Sequence, residues 1–259
     1  MNFSTHASAN VAVSVVSHRH GAHLFKLMCK LEMHCLNHVG HVVLTVNVPE
    51  PVFVKELNAR DWSFRLTILQ NQEPQGFGAN HNAAFKQASL NYFCVLNPDI
   101  DFDVDPFSEL LSKLEQPFTG CAFPVQLDEV GQIQDYARAL PSPSALFARY
   151  VGLKINPQSL SQPDWVNGAF LLFPSKIFSQ LKGFDERYFM YCEDVDICLR
   201  LHLAGYRLAQ SNAEVTHAAH RNSRINFRHL AWHISSLLRL WVSSPFWRFL
   251  TLNKSRKSV

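Results

Sequence analysis

The sequence predicts an α/β protein built on a mostly parallel sheet flanked by helices. Three observations carry this. Short apolar, β-branched runs alternate with segments of helical spacing through the first half. Each run is short and β-branched or apolar, as sheets covered on both faces require. A carboxylate-rich segment directly follows the fourth run, where open α/β sheets place their ligand sites.

Taken in order, residues 11–16 read as a buried strand and 24–36 as a helix. Residues 41–46 form a second strand ended by Pro49 and Pro51, and 64–69 a third. Gly76-Phe77-Gly78-Ala79-Asn80 is a glycine-containing loop opening a helix that runs to about residue 88. Residues 92–96 make the fourth strand and run straight into Asn97-Pro98-Asp99-Ile100-Asp101. A helix over 105–114 and a strand over 120–126 follow. Residues 128–163 are richer in Pro, Ser and polar side chains and read as a flexible acceptor-side loop region. Beyond them come one apolar strand over 165–173, containing Gly168, and a short helix over 175–181. After a turn at Gly183-Phe184-Asp185, a helix over 193–203 stops at the capping Gly205. Residues 206–209 and 214–217 read as two brief closing strands. From 227 to 250, apolar residues recur at helical spacing, interrupted by Pro245. The expected organisation is therefore an α/β domain over 1–226 and a basic, aromatic helical tail over 227–259.

The 259 residues, 47% apolar and 17% charged, supply a full core and exclude a disordered or fibrous chain. A net charge of +3 names no partner, but its distribution is uneven: Arg221, Arg224, Arg228, Arg239, Arg248, Lys254, Arg256 and Lys257 crowd the C-terminal end. No nucleic-acid-binding module accompanies them, and no nucleic-acid partner is expected. The six cysteines form no C-x-x-C pair, which suits a reduced, cytoplasmic protein. The apolar run after the polar first ten residues is too short for a signal peptide or a span, and Arg239 and Arg248 interrupt the later ones.

Two acidic clusters carry the chemistry. Asp99, Asp101, Asp103 and Asp105 crowd seven residues, and such density needs a cation or donors to relieve it. Mg2+ or Mn2+, shared with substrate phosphates, is one answer; a solvated acidic loop is the other. Asp105 is better explained as a helix cap before Pro106. In Glu193-Asp194-Val195-Asp196, acids favour the first turn of a helix, and Asp196 can pair with Arg200. Glu193 and Asp194 instead follow the aromatic run Tyr188-Phe189-Met190-Tyr191, which could wall a pocket, and suit a general base.

Beyond these clusters the sequence resembles a known family. Trp165-Val-Asn-Gly-Ala-Phe-Leu-Leu-Phe, then Gly183-Phe-Asp-Glu-Arg-Tyr-Phe-Met-Tyr-Cys-Glu-Asp-Val-Asp-Ile-Cys-Leu-Arg-Leu and Ala204-Gly-Tyr-Arg, resemble the rhamnosyltransferase-like branch of the inverting family 2 glycosyltransferases. Gly76-Phe-Gly-Ala-Asn-His-Asn-Ala-Ala and Leu96-Asn-Pro-Asp extend the likeness over about residues 11–220. The resemblance implies the GT-A fold, in which a nucleotide-binding sheet merges with an acceptor-binding half. It implies Asp99 as ligand of Mn2+ or Mg2+ and the diphosphate, with Asn97 a neutral neighbour. It makes Asp194 the catalytic base, Glu193 its neighbour or an acceptor partner, and His217, in Val215-Thr-His, a further metal ligand, with His220 competing. Gly76, Gly78, Asn80 and Asn82 match the donor-side loop.

The chain departs from the pattern where an Asp normally helps hold the nucleobase. Ser17-His-Arg-His and Thr45-Val-Asn47-Val-Pro lack it, so nucleobase recognition is expected to rest on Ser17, Asn47, backbone groups or residues outside these segments. The implied partners are a dTDP- or UDP-linked sugar donor, rhamnose being the branch's suggestion, and a bacterial surface glycan or lipid-linked oligosaccharide acceptor. The tail is expected to contact the inner face of the plasma membrane. A non-catalytic nucleotide-sugar or carbohydrate-binding relative is the alternative.

Overall fold

A computed structural model describes residues 9–141, 163–218 and 227–257, with side chains through 252. The first half alternates as expected: β1 (Val11–Ser17), α1 (Gly21–His34), β2 (Val39–Val46), α2 (Pro51–Asn58), β3 (Arg65–Gln70), α3 (Phe77–Phe85) and β4 (Tyr92–Leu96). There follow β5 (Ile100–Asp101), α4 (Phe107–Leu114), β6 (Thr119–Leu127), β7 (Ala137–Arg138), β8 (Trp165–Val166), β9 (Phe170–Pro174) and α5 (Ser175–Gln180). The chain then forms α6 (Glu193–Leu203), β10 (Arg207–His217), α7 (Phe227–Trp241) and α8 (Ser244–Lys257).

Eight strands form one sheet in the order β3-β2-β1-β4-β9-β6-β10-β5, and β7-β8 form a small second one. The β1–β4 block is parallel, as is β6 with β10, while β9 runs antiparallel between β4 and β6. Because strand side chains alternate, each strand feeds two cores. Val11, Val13 and Val15 meet Leu24, Leu27, Met28 and Leu57 on one face. Phe93, Val95, Phe123 and Phe173 meet Phe178, Phe184 and helix α6 on the other.

Five expectations change. Helix α2 was unforeseen: Pro49 and Pro51 read as strand terminators, but a proline at the first helical turn also starts a helix, and Phe53, Val54 and Leu57 pack it down. The single strand over 165–173 is two strands in different sheets. Asn167 leaves the first to exchange amide hydrogen bonds with Gln126 (2.8 and 3.0 Å), and apolar character alone does not say which sheet a residue joins. The two closing strands are one, β10, because backbone pairing with β6 resumes after an irregularity between Gln210 and Glu214 that tolerates polar side chains. In the 128–163 region, β7 and an Asp128–Gln132 turn are ordered elements, and residues 142–162 lie outside the described residues. The break in the tail falls at residues 242–243, and Pro245 lies in the first turn of α8.

Gly183 joins the two halves of the fold. Its φ is +64°, and a Cβ there would run into Asn82 Oδ1, which accepts the Phe184 amide at 2.9 Å. Gly183→Ala should therefore destabilise the fold by about 2–3 kcal/mol, from left-handed strain plus overpacking. The check is a lower denaturant midpoint at unchanged slope.

Candidate active site

Strand order reverses between β1 and β4: the chain moves outward through β2 and β3, then returns to the other side of β1. The carboxyl ends of such a pair flank a natural ligand crevice. Ser17 ends β1, and Asn97 follows β4. The loop after β1 is held by a carboxylate that the sequence reading passed over. Glu50 Oε1 accepts the Ser17 hydroxyl at 2.6 Å and the Arg19 amide at 3.0 Å, and Oε2 accepts the Gly21 amide at 3.3 Å. Arg19 has φ +66°, so this acid stabilises a strained turn. The available signal was an acid between two prolines at a helix start.

Beside it, Asn47 Oδ1 accepts from the Gln75 amide and from Asn71 Nδ2, both at 2.8 Å. Asn71 Nδ2 also reaches Asn80 Oδ1 at 2.7 Å. Asn47 and Asn80 thus share one amide network at the ends of β2 and β3, completed by Asn71 and Gln75, which the motif did not include. Asn82 is elsewhere: its amide donates to Phe184 O (2.8 Å) and Glu186 Oε1 (3.0 Å). Gly76 and Gly78 are close-approach positions, but the surface that approaches is the protein's own. A Cβ on Gly76 would lie 2.7 Å from Phe189 O, and one on Gly78 2.7 Å from Phe184 Cβ.

The four crowded carboxylates separate in three dimensions. Asp101 pairs with Lys26 (2.5 Å) and Lys30 (2.6 Å), and Asp103 with Lys30 (2.7 Å). Asp105 accepts the Phe107 amide at 2.9 Å, the cap foreseen, and pairs with His38 at 2.6 Å. Asp99 instead meets the imidazole of His217, its Oδ1 3.5 Å from Nε2. Antiparallel pairing of His217 with Ile100 brings them together, and Ala218 N donates to Asp99 O at 3.2 Å. Burial pushes the Asp99 carboxyl up, but His217 and then His20 oppose it, and it sits below its ordinary value. His217 Nδ1 is buried without a partner, and His220 lies outside the described residues. A carboxylate and an imidazole side by side fit a divalent ion whose other ligands come from a diphosphate. Among the described residues, no group of three or more His, Cys, Asp and Glu could hold one alone.

Asp194 stands at the start of α6, delivered by two consecutive left-handed residues, Tyr191 (φ +72°) and Cys192 (φ +66°). Its Oδ1 accepts the Val195 amide at 2.8 Å, and the Gly168 amide lies close enough to favour its charged form. Burial raises its pKa to about 6, against the pull of those amides and of Arg138. Glu193 is buried with Oε2 unpartnered, and burial, then Asp194, pushes it well above the usual carboxyl range. Asp196 pairs with Arg200 at 2.7 Å, as its spacing predicted. The backbone between the two acids is linked: a Cβ on Gly168 would lie 3.8 Å from Asp194 Cβ, Ala169 O accepts the Asn97 amide at 2.8 Å, and Asp99 follows two residues on.

No family model matches the chain. Rhamnosyltransferase WbbL of Escherichia coli (strain K12) is 34% identical over 228 residues, 72% of this chain and 85% of that protein. The chain belongs to the rhamnosyltransferase-like branch of the family 2 glycosyltransferases. N-acetylglucosaminyl-diphospho-decaprenol L-rhamnosyltransferase of Mycobacterium tuberculosis (strain CDC 1551 / Oshkosh) is 32% identical over 163 residues, 56% of this chain, and the match spans about half (53%) of that protein.

The fold of this glycosyltransferase is GT-A. Mannosyltransferase PcManGT from Pyrobaculum calidifontis, solved with GDP-Man and Mn2+, superimposes at TM-score 0.63 and 15% identity, over 89% of this chain and 64% of that one. GalNAc-T7, solved with UDP, GalNAc and Mn2+, does so at TM-score 0.63 and 15% identity, over 81% and 44%. The motifs did not reveal a charged neighbour of Asp194: Arg138, on β7, favours its ionised form, and the Arg138 guanidinium lies 5.2 Å from the Trp165 ring centroid. It fell in the stretch read as loop, where no pattern marks a short strand.

Proposed function

We propose that this glycosyltransferase moves a sugar, rhamnose by preference, from a dTDP- or UDP-linked donor to a hydroxyl of a bacterial surface glycan or lipid-linked oligosaccharide, inverting the anomeric carbon. The observation that carries the reading is Asp194: a half-buried carboxylate with a raised pKa, held by the Val195 amide at the start of α6.

Asp194 takes the proton of the acceptor hydroxyl as its oxygen attacks the anomeric carbon from the face opposite the leaving group. Asp99 and His217 would hold Mn2+ or Mg2+ with the donor diphosphate, and that ion supplies positive charge against the departing nucleoside diphosphate. An imidazole in the donor set favours Mn2+ over Mg2+, which prefers oxygen ligands. Ser17, Asn47 and Asn80 belong to the nucleotide side, with Glu50 holding the loop that begins at Ser17, and Asn97 stands between the two halves. Glu193 serves as the neighbour of Asp194 or as a hydrogen-bond partner of the acceptor. The enzyme works in the cytoplasm, at the inner face of the plasma membrane. The relatives' activities support this reading: the E. coli protein is named a rhamnosyltransferase, and the mycobacterial one an L-rhamnosyltransferase.

The test is a screen of nucleotide sugars for Mn2+-dependent binding, then transfer to glycolipid acceptors with the product anomer read by NMR. Retention of configuration would sink the single-displacement mechanism, and binding without turnover of any donor would favour a non-catalytic relative. The base form of Asp194 is present above its raised pKa and lost as pH falls through it. The acid limb of the kcat/KM profile should therefore have its midpoint near pH 6. A limb near pH 4, the ordinary carboxyl range, would mean an unperturbed acid does the work.

A further inference from the structure

Helix α7 wears its apolar face outward. Phe227, Leu230, Ile234 and Leu238 recur every three to four residues on one side and are between 50% and 87% exposed. The opposite side, with His229, His233 and Ser236, packs on the protein. Ser236 Oγ donates to Met190 O at 2.8 Å, Tyr191 OH hydrogen-bonds His229 Nδ1 at 2.9 Å, and Trp232 lies 4.8 Å from Phe189. The inner side also seats the fully buried Leu240, so a helix already packed down that still leaves four large apolar side chains in solvent is built for an apolar neighbour.

The charge around it selects that neighbour. From residue 215 to 259 the sequence holds eight Lys and Arg and not one Asp or Glu. Two copies meeting on this face would set two acid-free tails against each other, whereas an anionic lipid surface matches both the charge and the stripe. No helix among the described residues is long and apolar enough to cross a membrane, so α7 would lie in the interface plane.

The inner contacts give docking a consequence. Residues 189–191 bear on α7 and end in the left-handed pair Tyr191-Cys192, which delivers Glu193 and Asp194. Phe189 O also accepts the Phe77 amide at 2.9 Å, so the same segment abuts the donor-side helix α3. We propose that α7 docks in the surface of an anionic phospholipid bilayer through Phe227, Leu230, Ile234 and Leu238, and that docking activates the enzyme by ordering residues 189–192. The activation half rests on Asp194 being the base; the docking half does not.

The experiment uses the full chain with phosphatidylcholine vesicles, with and without phosphatidylglycerol, and the double variant Leu230→Gln/Leu238→Gln. Both leucines are exposed, and an unchanged melting temperature verifies that the variant folds. The wild type should co-sediment with the phosphatidylglycerol vesicles alone, and the variant should bind them at least about tenfold more weakly. Hydrogen exchange in residues 186–195 should slow on vesicle binding in the wild type, and transfer to a water-soluble acceptor should rise with it. Equal partitioning onto both vesicle types, unchanged binding by the variant, or a wild-type dimer that the variant abolishes would each overturn docking. Binding with unaltered exchange in 186–195 would overturn the coupling. Slowed exchange without turnover of any donor would uphold docking and overturn activation together with the proposed catalytic function.

Discussion

Asp194→Asn is expected to lower kcat by about 10²–10⁴-fold, the span that a positioned general base contributes, while Mn2+-dependent donor binding stays within about twofold. The amide keeps the volume of the carboxylate, and its Oδ1 can still accept the Val195 amide, so the start of α6 should hold its shape. What it loses is a lone pair basic enough to receive a proton. Glu193 is a poor substitute, because burial and its neighbour Asp194 push its carboxyl well above the usual range and disfavour its charged form. Stability should not fall, since the change removes a desolvated acid from a site that disfavours its charge. The check is kcat from steady-state transfer alongside donor affinity from calorimetry. Wild-type kcat in the variant would place the base elsewhere.

Asp99→Ala should weaken Mn2+-dependent donor binding by about 10²–10³-fold, the effect of losing several kcal/mol of charge stabilisation. The control is its neighbour. Asp101→Asn leaves Asp99 and His217 untouched and removes a partly exposed partner of Lys26 and Lys30, so it should cost at most about 1 kcal/mol of stability and leave donor affinity within about twofold. Titration of Mn2+ with the bound nucleoside diphosphate, followed by electron paramagnetic resonance, separates the two. Equal losses in both variants would show that the whole acidic segment acts as a diffuse field, and no loss in Asp99→Ala would remove it from the metal site.

Local pattern made the elements legible wherever the signal was local too. The strand over 92–96 and the helix over 193–203 have the bounds their spacing predicted, because apolar periodicity and a capping glycine act within a few residues. The Asp105 cap and the Asp196–Arg200 pair were legible for the same reason. Continuous apolar character was less informative at 165–173, where a strand that changes sheets differs from one that does not only in what Asn167 bonds forty-one residues away. The donor-side motif was legible as a motif and less so as a set of roles. Gly76, Gly78 and Asn82 are bound to the 184–189 segment, about a hundred residues on, and no local feature announces that partner.

The sequence by itself determined the α/β class, the strand that ends at Asn97, the helix that begins at Glu193 and the acid-free tail. Each follows from residue spacing or charge along the chain. The tertiary structure decided which of four adjacent carboxylates meets His217. Asp101 and Asp103 are neutralised by lysines on α1, some seventy residues away, and Asp99 is left to His217 on the far side of the sheet. It decided that Glu50 holds the loop at Ser17, and which way α7 turns its apolar face. Charge compensation and burial depend on neighbours that only the folded chain brings within a few ångströms, so the composition of a site can be read along the chain while its division of labour cannot.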